Sequence, residues 1–405
     1  MNYADVTARV NNKKAVVSDF SGINRYSGQR GLKDCENLCA SEMPFLAVRG
    51  RRAALRALSS PQGIYADDTL AYVDGNRLYY GALEVSGLYL SSGEKQILRL
   101  GKYLIVLPDE VYCNTQDISD CGSMSAYFSS ETGVSVSCVD EELSPILSYG
   151  VTTDEPDGAN IGEYCAIKND DGTYVIMQFD GNVWNEIKSY IKIAGSGIGA
   201  GFNVGDTVHC SGLGNVIGNH FTVTHKTADA LFCEGAIAAA FTAMSVSIQR
   251  IFPRFDFCTV SEGRIYGVRR GRDKGGDFVS RIYASAKNDP FNYSPYCGGM
   301  YADVDISGAF TALCDRVGTP IAFSESDIVE IHSSGGWLYP HVIHCYGVES
   351  GAHKSAVCDS GIIYYKSSVG VCAYDGSYPE CISGSLGRKL KCSEEGSPAI
   401  CVGGK

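Results

Sequence analysis

The 405-residue sequence lacks several features that would place it in a common class of protein. It has no apolar run approaching the roughly 20 residues that span a bilayer, so we predict no membrane insertion. Its first residues, MNYADVTARVNNKK, lack the apolar segment of a secretory signal peptide. With 34 Lys and Arg against 46 Asp and Glu, a net charge of −12, it lacks the positive excess of general nucleic-acid and anionic-membrane binders.

Common motifs of catalysis and metal binding are also missing. There is no GxSxG nucleophile elbow. The sequence Asp359-Ser360-Gly361 resembles half of an aspartic-protease dyad, but no second such triplet supplies the other carboxylate, which favours a simple β-turn. His332, His341, His344 and His353 lack HxH and HExxH spacing, which favours surface or core histidines over metal ligands. We therefore predict no enzyme, no cofactor and no metal site.

The 17 cysteines do not form the pattern of a disulfide framework or a zinc site. Their number is odd, and no CxxC pair occurs. Several lie inside apolar segments, where a thiol behaves as a small hydrophobic group; examples are Cys165, Cys258, Cys314, Cys358 and Cys372. We interpret them as reduced, structural cysteines of a protein made in a cytoplasm.

What the chain has in abundance is glycine, tyrosine and short apolar segments. Its 47 Gly and 25 Tyr suit many short strands joined by tight turns, so we predict an all-β fold. Residues 257–296 predict one blade of a β-propeller: strands begin at Cys258, Ile265 and Val279, and Pro290 ends the last of them. Such a unit needs neighbouring copies to bury both of its faces.

Degenerate copies of this blade recur along the chain. Each has a small turn between two short apolar strands; they lie at 70–80, 100–106, 171–176, 318–323 and 357–374. The recurrence favours a drifted β-propeller. An all-β sandwich with frequent hairpins is the alternative.

The hairpins and the segments between them divide the chain into four predicted parts. Residues 1–60 predict an extended N-terminal arm, 61–190 and 250–405 the two parts of the propeller, and 191–249 an inserted small β-barrel. The glycine-rich segment 195–201 leads into a strand instead of a helix, which indicates a linker and not a phosphate loop. The acidic segment around residues 154–158 lacks the spacing of a calcium loop.

Two clusters of arginine are candidate interface positions. In the arm they form either a solvated loop or a docking surface for a neighbouring subunit, and a second cluster follows the strand that starts at Ile265. The candidate interface residues are Arg49, Arg51, Arg52, Arg269, Arg270 and Arg272. The chain ends on a strand and turn, 399–405, without a return strand, so we expect either that the arm closes the propeller or that this is a fragment or short version.

The order of these segments resembles a family of tail structural proteins from tailed bacteriophages and prophages. The last motif is also similar to one in the tail nozzle, or tubular protein B, of short-tailed phages. The matching stretches are 20–24 (FSGIN), 35–38 (CENL), 44–49 (PFLAVR), 72–80 (YVDGNRLYY), 101–109 (GKYLIVLPD), 204–208 (VGDTV), 264–267 (RIYG) and 281–293 (RIYASAKNDPFNY).

The resemblance implies a non-enzymatic structural protein of the virion. Its expected partners are copies of itself, in a closed ring, and other tail proteins. Genomic DNA would pass through without tight binding, which the net charge of −12 favours. The protein would be synthesised in the cytoplasm of the bacterial host and then reside in the tail.

A carbohydrate-binding or sialidase-like propeller acting on host glycans is the alternative function. Residues 168–174 (KNDDGTY) loosely resemble the aspartate-box turn of such propellers. Exposed aromatic residues such as Trp184 and Trp337 would suffice for binding. A hydrolase would also need an acid and a second acidic or tyrosine nucleophile facing one pocket.

Overall fold

The computed structural model describes residues 38–42, 45–48, 56–146, 149–214, 218–272 and 278–384. These residues form a chain that is nearly all β, so the predicted fold class is confirmed at that level. Short 3-10 helices lie at Pro295–Cys297 and His353–Ser355. Within the described ranges, no helix has the length and apolarity required to cross a membrane.

The described part of the predicted N-terminal arm begins with a small hairpin. Strands β1 (Leu38–Glu42) and β2 (Phe45–Val48) pair antiparallel. The candidate interface residues Arg49, Arg51 and Arg52 lie outside the described residues.

Of the 35 strands in the described residues, 20 belong to five four-stranded antiparallel sheets, each a meander of consecutive strands. The first meander sheet contains β3 (Pro61–Ala66), β4 (Leu70–Asp74), β5 (Arg77–Tyr80) and β6 (Leu83–Glu84). The second contains β7 (Gln96–Leu100), β8 (Tyr103–Leu107), β9 (Val111–Asn114) and β10 (Asp117–Ser123).

The other three meander sheets follow after a long insert. The insert contains thirteen strands in the described residues. The third sheet contains β24 (Phe257–Ser261), β25 (Arg264–Arg272), β26 (Phe278–Ala284) and β27 (Met300–Val304). The fourth contains β28 (Ala312–Arg316), β29 (Thr319–Phe323), β30 (Asp327–Ser334) and β31 (Trp337–His344). The fifth contains β32 (Val357–Asp359), β33 (Ile362–Ser367), β34 (Gly370–Tyr374) and β35 (Glu380–Cys381).

Successive meander sheets contact each other through their first strands. Strand β3 meets β7, β7 meets β24, β24 meets β28, and β28 meets β32. The outer strands β27 and β31 are also in contact. Each sheet therefore packs face to face on the next, with buried apolar side chains between them. These contacts define a succession of five blade-like sheets.

Tight turns with positive φ connect the strands within each meander. Between β24 and β25, Glu262 and Gly263 have φ angles of 46° and 74°. Ser360 and Gly361 have φ angles of 49° and 82° between β32 and β33. Two consecutive residues of positive φ match the right-handed twist of the flanking strands. The Asp359-Ser360-Gly361 triplet is thus a hairpin turn, as predicted.

The insert is larger than the sequence predicted. Strand β11 pairs with β23, and β12 pairs with β17 and β22, so the insert spans residues 126–250 and not only 191–249. Its strands are β11 (Ala126–Ser130), β12 (Val134–Val139), β13 (Gly150–Thr152), β14 (Tyr164–Lys168), β15 (Tyr174–Phe179), β16 (Trp184–Ile187), β17 (Tyr190–Ala194), β18 (Thr207–Ser211), β19 (His220–Thr222), β20 (His225–Thr227), β21 (Ala230–Glu234), β22 (Phe241–Ala243) and β23 (Val246–Arg250).

Three sheets share the core of the insert. Their strand orders are β11-β23-β18-β19, β20-β21-β17-β12-β22 and β13-β14-β15-β16, with β13 parallel to β14. Residues from all three sheets pack in one cluster, which includes Val136, Ile176, Ile193, Val208 and Leu231. The first two sheets carry the strands expected of the small β-barrel, and the third packs against them.

Candidate interface and binding surfaces

The distal end of the β25 and β26 hairpin carries the described arginine cluster. Strand β25 pairs with β24 only as far as Val268, whereas its pairing with β26 continues to Arg272 opposite Phe278. The guanidinium carbons of Arg270 and Arg272 lie 5.3 and 4.2 Å from the centre of the Phe278 ring. Phe278 remains 61% exposed. We call Arg270, Arg272 and Phe278 the arginine tip.

Arg269 points to the opposite face of the same strand, because side chains alternate along β25. On that face its positive charge is near Glu110. Burial raises the pKa of Glu110 above its ordinary value, and the charges of Arg254 and Arg269 offset part of this rise. The structure therefore brings together two of the three arginines predicted for this segment. A cavity of about 330 Å³ lies beside the arginine tip, lined by Arg270, Phe278, Ser280, Asp303, Asp305 and neighbouring residues.

A buried ion pair of the insert contacts the loop between β26 and β27 of the third meander sheet. Asp206 and Arg250, both in the insert, form a salt bridge with side chains 1% and 2% exposed. The Asn292 side-chain carbonyl accepts a 3.0 Å hydrogen bond from the Thr207 amide, and Arg250 lies over the Phe291 ring at 4.9 Å. Burial raises the pKa of Asp206, and Arg250 opposes this effect. The sequence analysis did not identify this network.

Two carboxylates of the fourth meander sheet lie close to three of the four histidines singled out in the sequence. The Nε2 of His332 and the Nδ1 of His341 lie 3.6 and 3.5 Å from the same Glu330 oxygen, Oε2. The Nδ1 of His344 lies 2.7 Å from Oδ1 of Asp327. His353 is elsewhere, 3.1 Å from Glu94. Within the described ranges, no group of three or more His, Cys, Asp or Glu has the arrangement of a metal site.

Asp327 also forms a hydrogen bond with the segment between β27 and β28, which leads into the fourth sheet. Its Oδ2 accepts hydrogen bonds from the Ser307 amide at 2.9 Å and the Ser324 hydroxyl at 2.8 Å. Burial raises the pKa of Asp327, but these hydrogen bonds and the one to His344 outweigh burial, so the pKa lies below its ordinary value.

Replacing Asp327 by alanine is expected to destabilise the protein by about 1–3 kcal/mol near neutral pH, because its buried donors lose their acceptor. A lowered folded-state pKa means that this stabilisation is complete above the unfolded pKa of about 3.9 and is lost as the pH falls through the folded value. Urea unfolding from pH 3 to 8 should show a constant difference between wild type and D327A above about pH 5, which shrinks below about pH 4. The exposed Asp305→Ala is the control, and an equal loss in both variants would contradict the assignment.

The two tryptophans have opposite environments. Trp337, on β31, is 68% exposed, whereas Trp184 is 8% exposed and its indole N–H donates to the Pro156 carbonyl at 3.1 Å. Trp184 packs against Phe179 in the insert. The expectation that Trp184 offers an exposed surface is therefore wrong, because a neighbouring loop covers it.

A second cavity, of about 500 Å³, lies where the insert meets the loop after β26. It is lined by Asn219, His220, Thr222 and Tyr296, among other residues. The His220 ring meets His209 edge-on and Tyr296 at a tilt, at 5.0 and 5.4 Å between ring centres. Burial lowers the pKa of His220, and His209 adds to this effect.

Other segments singled out in the sequence have structural roles. In the glycine-rich segment, the Gly197 amide donates to the Asp229 carboxylate at 2.7 Å, so a carboxylate of the protein occupies a donor that a phosphate would use. In the aspartate-box-like turn, Asp171 accepts hydrogen bonds from the amide and hydroxyl of Thr173 and so closes the hairpin between β14 and β15.

The 13 cysteines from Cys113 to Cys381 are free thiols, and most are buried in apolar surroundings. Burial raises the pKa of Cys113 and Cys233 to about 12 and that of Cys210 to about 11. Such thiols are poor nucleophiles at neutral pH. The structural role expected for buried cysteines is consistent with these environments.

Comparison of the chain with models of known protein families and with curated proteins finds no significant match to either.

Proposed function

We propose that this chain is a non-enzymatic structural protein of a phage tail, a β-propeller that assembles with copies of itself into a closed ring. The arginine tip is the observation that carries the proposal. Arginine and aromatic side chains are enriched at the centres of protein interfaces, and here they are held together at the end of a paired hairpin. The proposed partners are neighbouring copies and other tail proteins.

Charge supports a contact between unlike surfaces of neighbouring copies. The chain carries a net charge of −12, so an arginine-bearing surface has acidic surfaces of a second copy available to it. A contact between two different surfaces of the same protein generates a ring when the rotation between copies closes. The same negative charge favours passage of DNA without tight binding.

The buried network of Asp206, Arg250 and Asn292 also suits a structural role. These contacts join the insert to the loop between β26 and β27 of the third meander sheet. The proposed location is the virion tail, after synthesis in the cytoplasm of the bacterial host.

The expected result is a closed ring of several copies for the wild-type chain, and an assembly at least tenfold weaker for the double variant R270E/R272E. Reversing both charges removes attraction to an acidic partner and leaves Phe278 without its stacked guanidinium groups. Light scattering after size exclusion measures the mass, and negative-stain images show the shape.

Arg77→Glu is the matched control, because Arg77 is an exposed arginine in the first meander sheet, away from the hairpin. A wild-type chain that stays at 43.4 kDa at every concentration contradicts self-assembly. A ring that R270E/R272E leaves intact contradicts the assigned interface while leaving the ring itself established.

A further inference from the structure

The outer hairpin of the fourth meander sheet presents a row of ring-bearing side chains on one face. Residues directly opposite each other on antiparallel strands share a face. Three such pairs lie on the face turned toward the fifth meander sheet: Glu330 with His341, His332 with Tyr339, and Ser334 with Trp337.

The fifth meander sheet covers only the inner part of this face. Ile328 and Ile343, which continue the same row inward, pack in the cluster that includes Tyr365. Farther out, Tyr339 is 52% exposed and Trp337 is 68% exposed. The side chains of His332 and His341 are 55% and 65% exposed. The outer half of the face is therefore open to a ligand, and the inner half is fixed by packing.

Glu330 forms the polar floor of this open half. Its side chain is 13% exposed, and its Oε1 accepts a 2.9 Å hydrogen bond from the buried Tyr374 hydroxyl. Its Oε2 lies between His332 and His341 at 3.6 and 3.5 Å, longer than a good hydrogen bond. This oxygen retains the capacity to accept a hydrogen bond from a ligand hydroxyl.

The chemistry of the row fits a sugar better than a protein partner. Each exposed ring has an apolar face and a polar edge: an indole N–H, a phenol O–H or an imidazole nitrogen. A sugar ring likewise has C–H bonds on one face and hydroxyl groups around its edge. Neither arginine nor methionine, which accompany aromatics in protein interfaces, belongs to the three pairs.

We propose that this face binds an oligosaccharide, with sugar rings stacked on Trp337 and Tyr339 and hydroxyl groups hydrogen-bonded to His332, His341 and Glu330. Alternate residues of a strand are about 6.8 Å apart, so Trp337, Tyr339 and His341 span about 14 Å, enough for more than one sugar ring. The paired strands fix the backbone positions of these residues before binding, which lowers the entropic cost of association. Tyr374 is 0% exposed, so it supports Glu330 from below and does not itself contact the sugar.

A glycan microarray probed with the labelled full chain tests this proposal. The wild-type chain should bind a subset of the oligosaccharides saturably, and Trp337→Ala and Tyr339→Ala should each weaken that binding at least tenfold. Tyr301→Ala is the matched control, because Tyr301 is 50% exposed on the outer strand of the neighbouring third sheet and belongs to none of the three pairs. Its binding should equal that of the wild type.

Tryptophan fluorescence provides an independent readout, since the chain has only two tryptophans and Trp184 is buried. Iodide should quench mainly Trp337, and an oligosaccharide selected on the array should protect it. The proposal is overturned if no oligosaccharide binds saturably or if W337A binds as tightly as the wild type. It is also overturned if W337A changes the oligomeric mass and leaves glycan binding intact, because the face is then a protein contact.

Discussion

Replacing Arg250 by alanine is expected to lower the free energy of unfolding by about 3–5 kcal/mol, because it leaves the Asp206 carboxylate buried without its counter-charge. Both side chains are almost fully buried. The substitution also removes the 3.2 Å hydrogen bond from Arg250 Nε to the Met124 carbonyl, at the point where the chain enters the insert. Urea unfolding followed by circular dichroism measures the loss.

Arg77→Ala is the control for this substitution. Its ion pair with Glu84 joins side chains that are 59% and 42% exposed, and an exposed pair contributes about 0–1 kcal/mol. The double variant D206L/R250M should recover much of the loss, since an apolar pair avoids burying charge. A loss for R250A no larger than that for R77A would contradict the role of the buried pair.

The sequence predicted the elements that form between residues close together in the chain. The turn at Glu262-Gly263 and the strands on either side of it lie where the pattern of apolar residues and glycine placed them. Hairpins of this kind form between residues only a few positions apart, so a short window of sequence contains both partners. The all-β class follows from the repetition of such windows.

The bounds of the insert depend on partners that are distant in the chain. Ala126 pairs with Arg250, and Val136 pairs with Phe241, across more than 100 residues. No local periodicity records such a pairing, because each strand alone has the same pattern as a strand of a meander.

The sequence indicated the arginine tip in part, but it did not indicate the row of side chains on the fourth sheet. The arginines of the tip are near neighbours in the sequence, but only the strand register shows that Arg270 and Arg272 share Phe278 while Arg269 faces the other way. On the fourth sheet, Glu330 and His341 meet because their strands pair in one register. A shift of that register by one residue would move each side chain to the opposite face.

Replacing Tyr365 by alanine is expected to lower the free energy of unfolding by about 3–5 kcal/mol and to loosen the fifth meander sheet from the fourth. Tyr365 is 1% exposed, and its ring centre lies 5.1 Å from that of Phe323 in the fourth sheet. Its hydroxyl donates a 2.6 Å hydrogen bond to the Tyr346 carbonyl in the connection between the sheets. Denaturant unfolding measures the loss, and hydrogen exchange of the β33 and β34 amides shows whether the fifth sheet opens first.

Two further variants separate packing from hydrogen bonding at this position. Tyr365→Phe keeps the ring and leaves the Tyr346 carbonyl without its donor, so its expected cost is smaller, about 1–3 kcal/mol. Tyr378→Ala removes a tyrosine of the same region that is 61% exposed, and its effect should stay within about 0.5 kcal/mol. Equal losses of unfolding free energy in Y365A and Y378A would show that burial of Tyr365 between the fourth and fifth sheets does not stabilise the protein. Faster exchange confined to β33 and β34 in Y365A would instead locate the stabilisation at the contact between the fourth and fifth sheets, which also fixes the inner half of the proposed sugar-binding face.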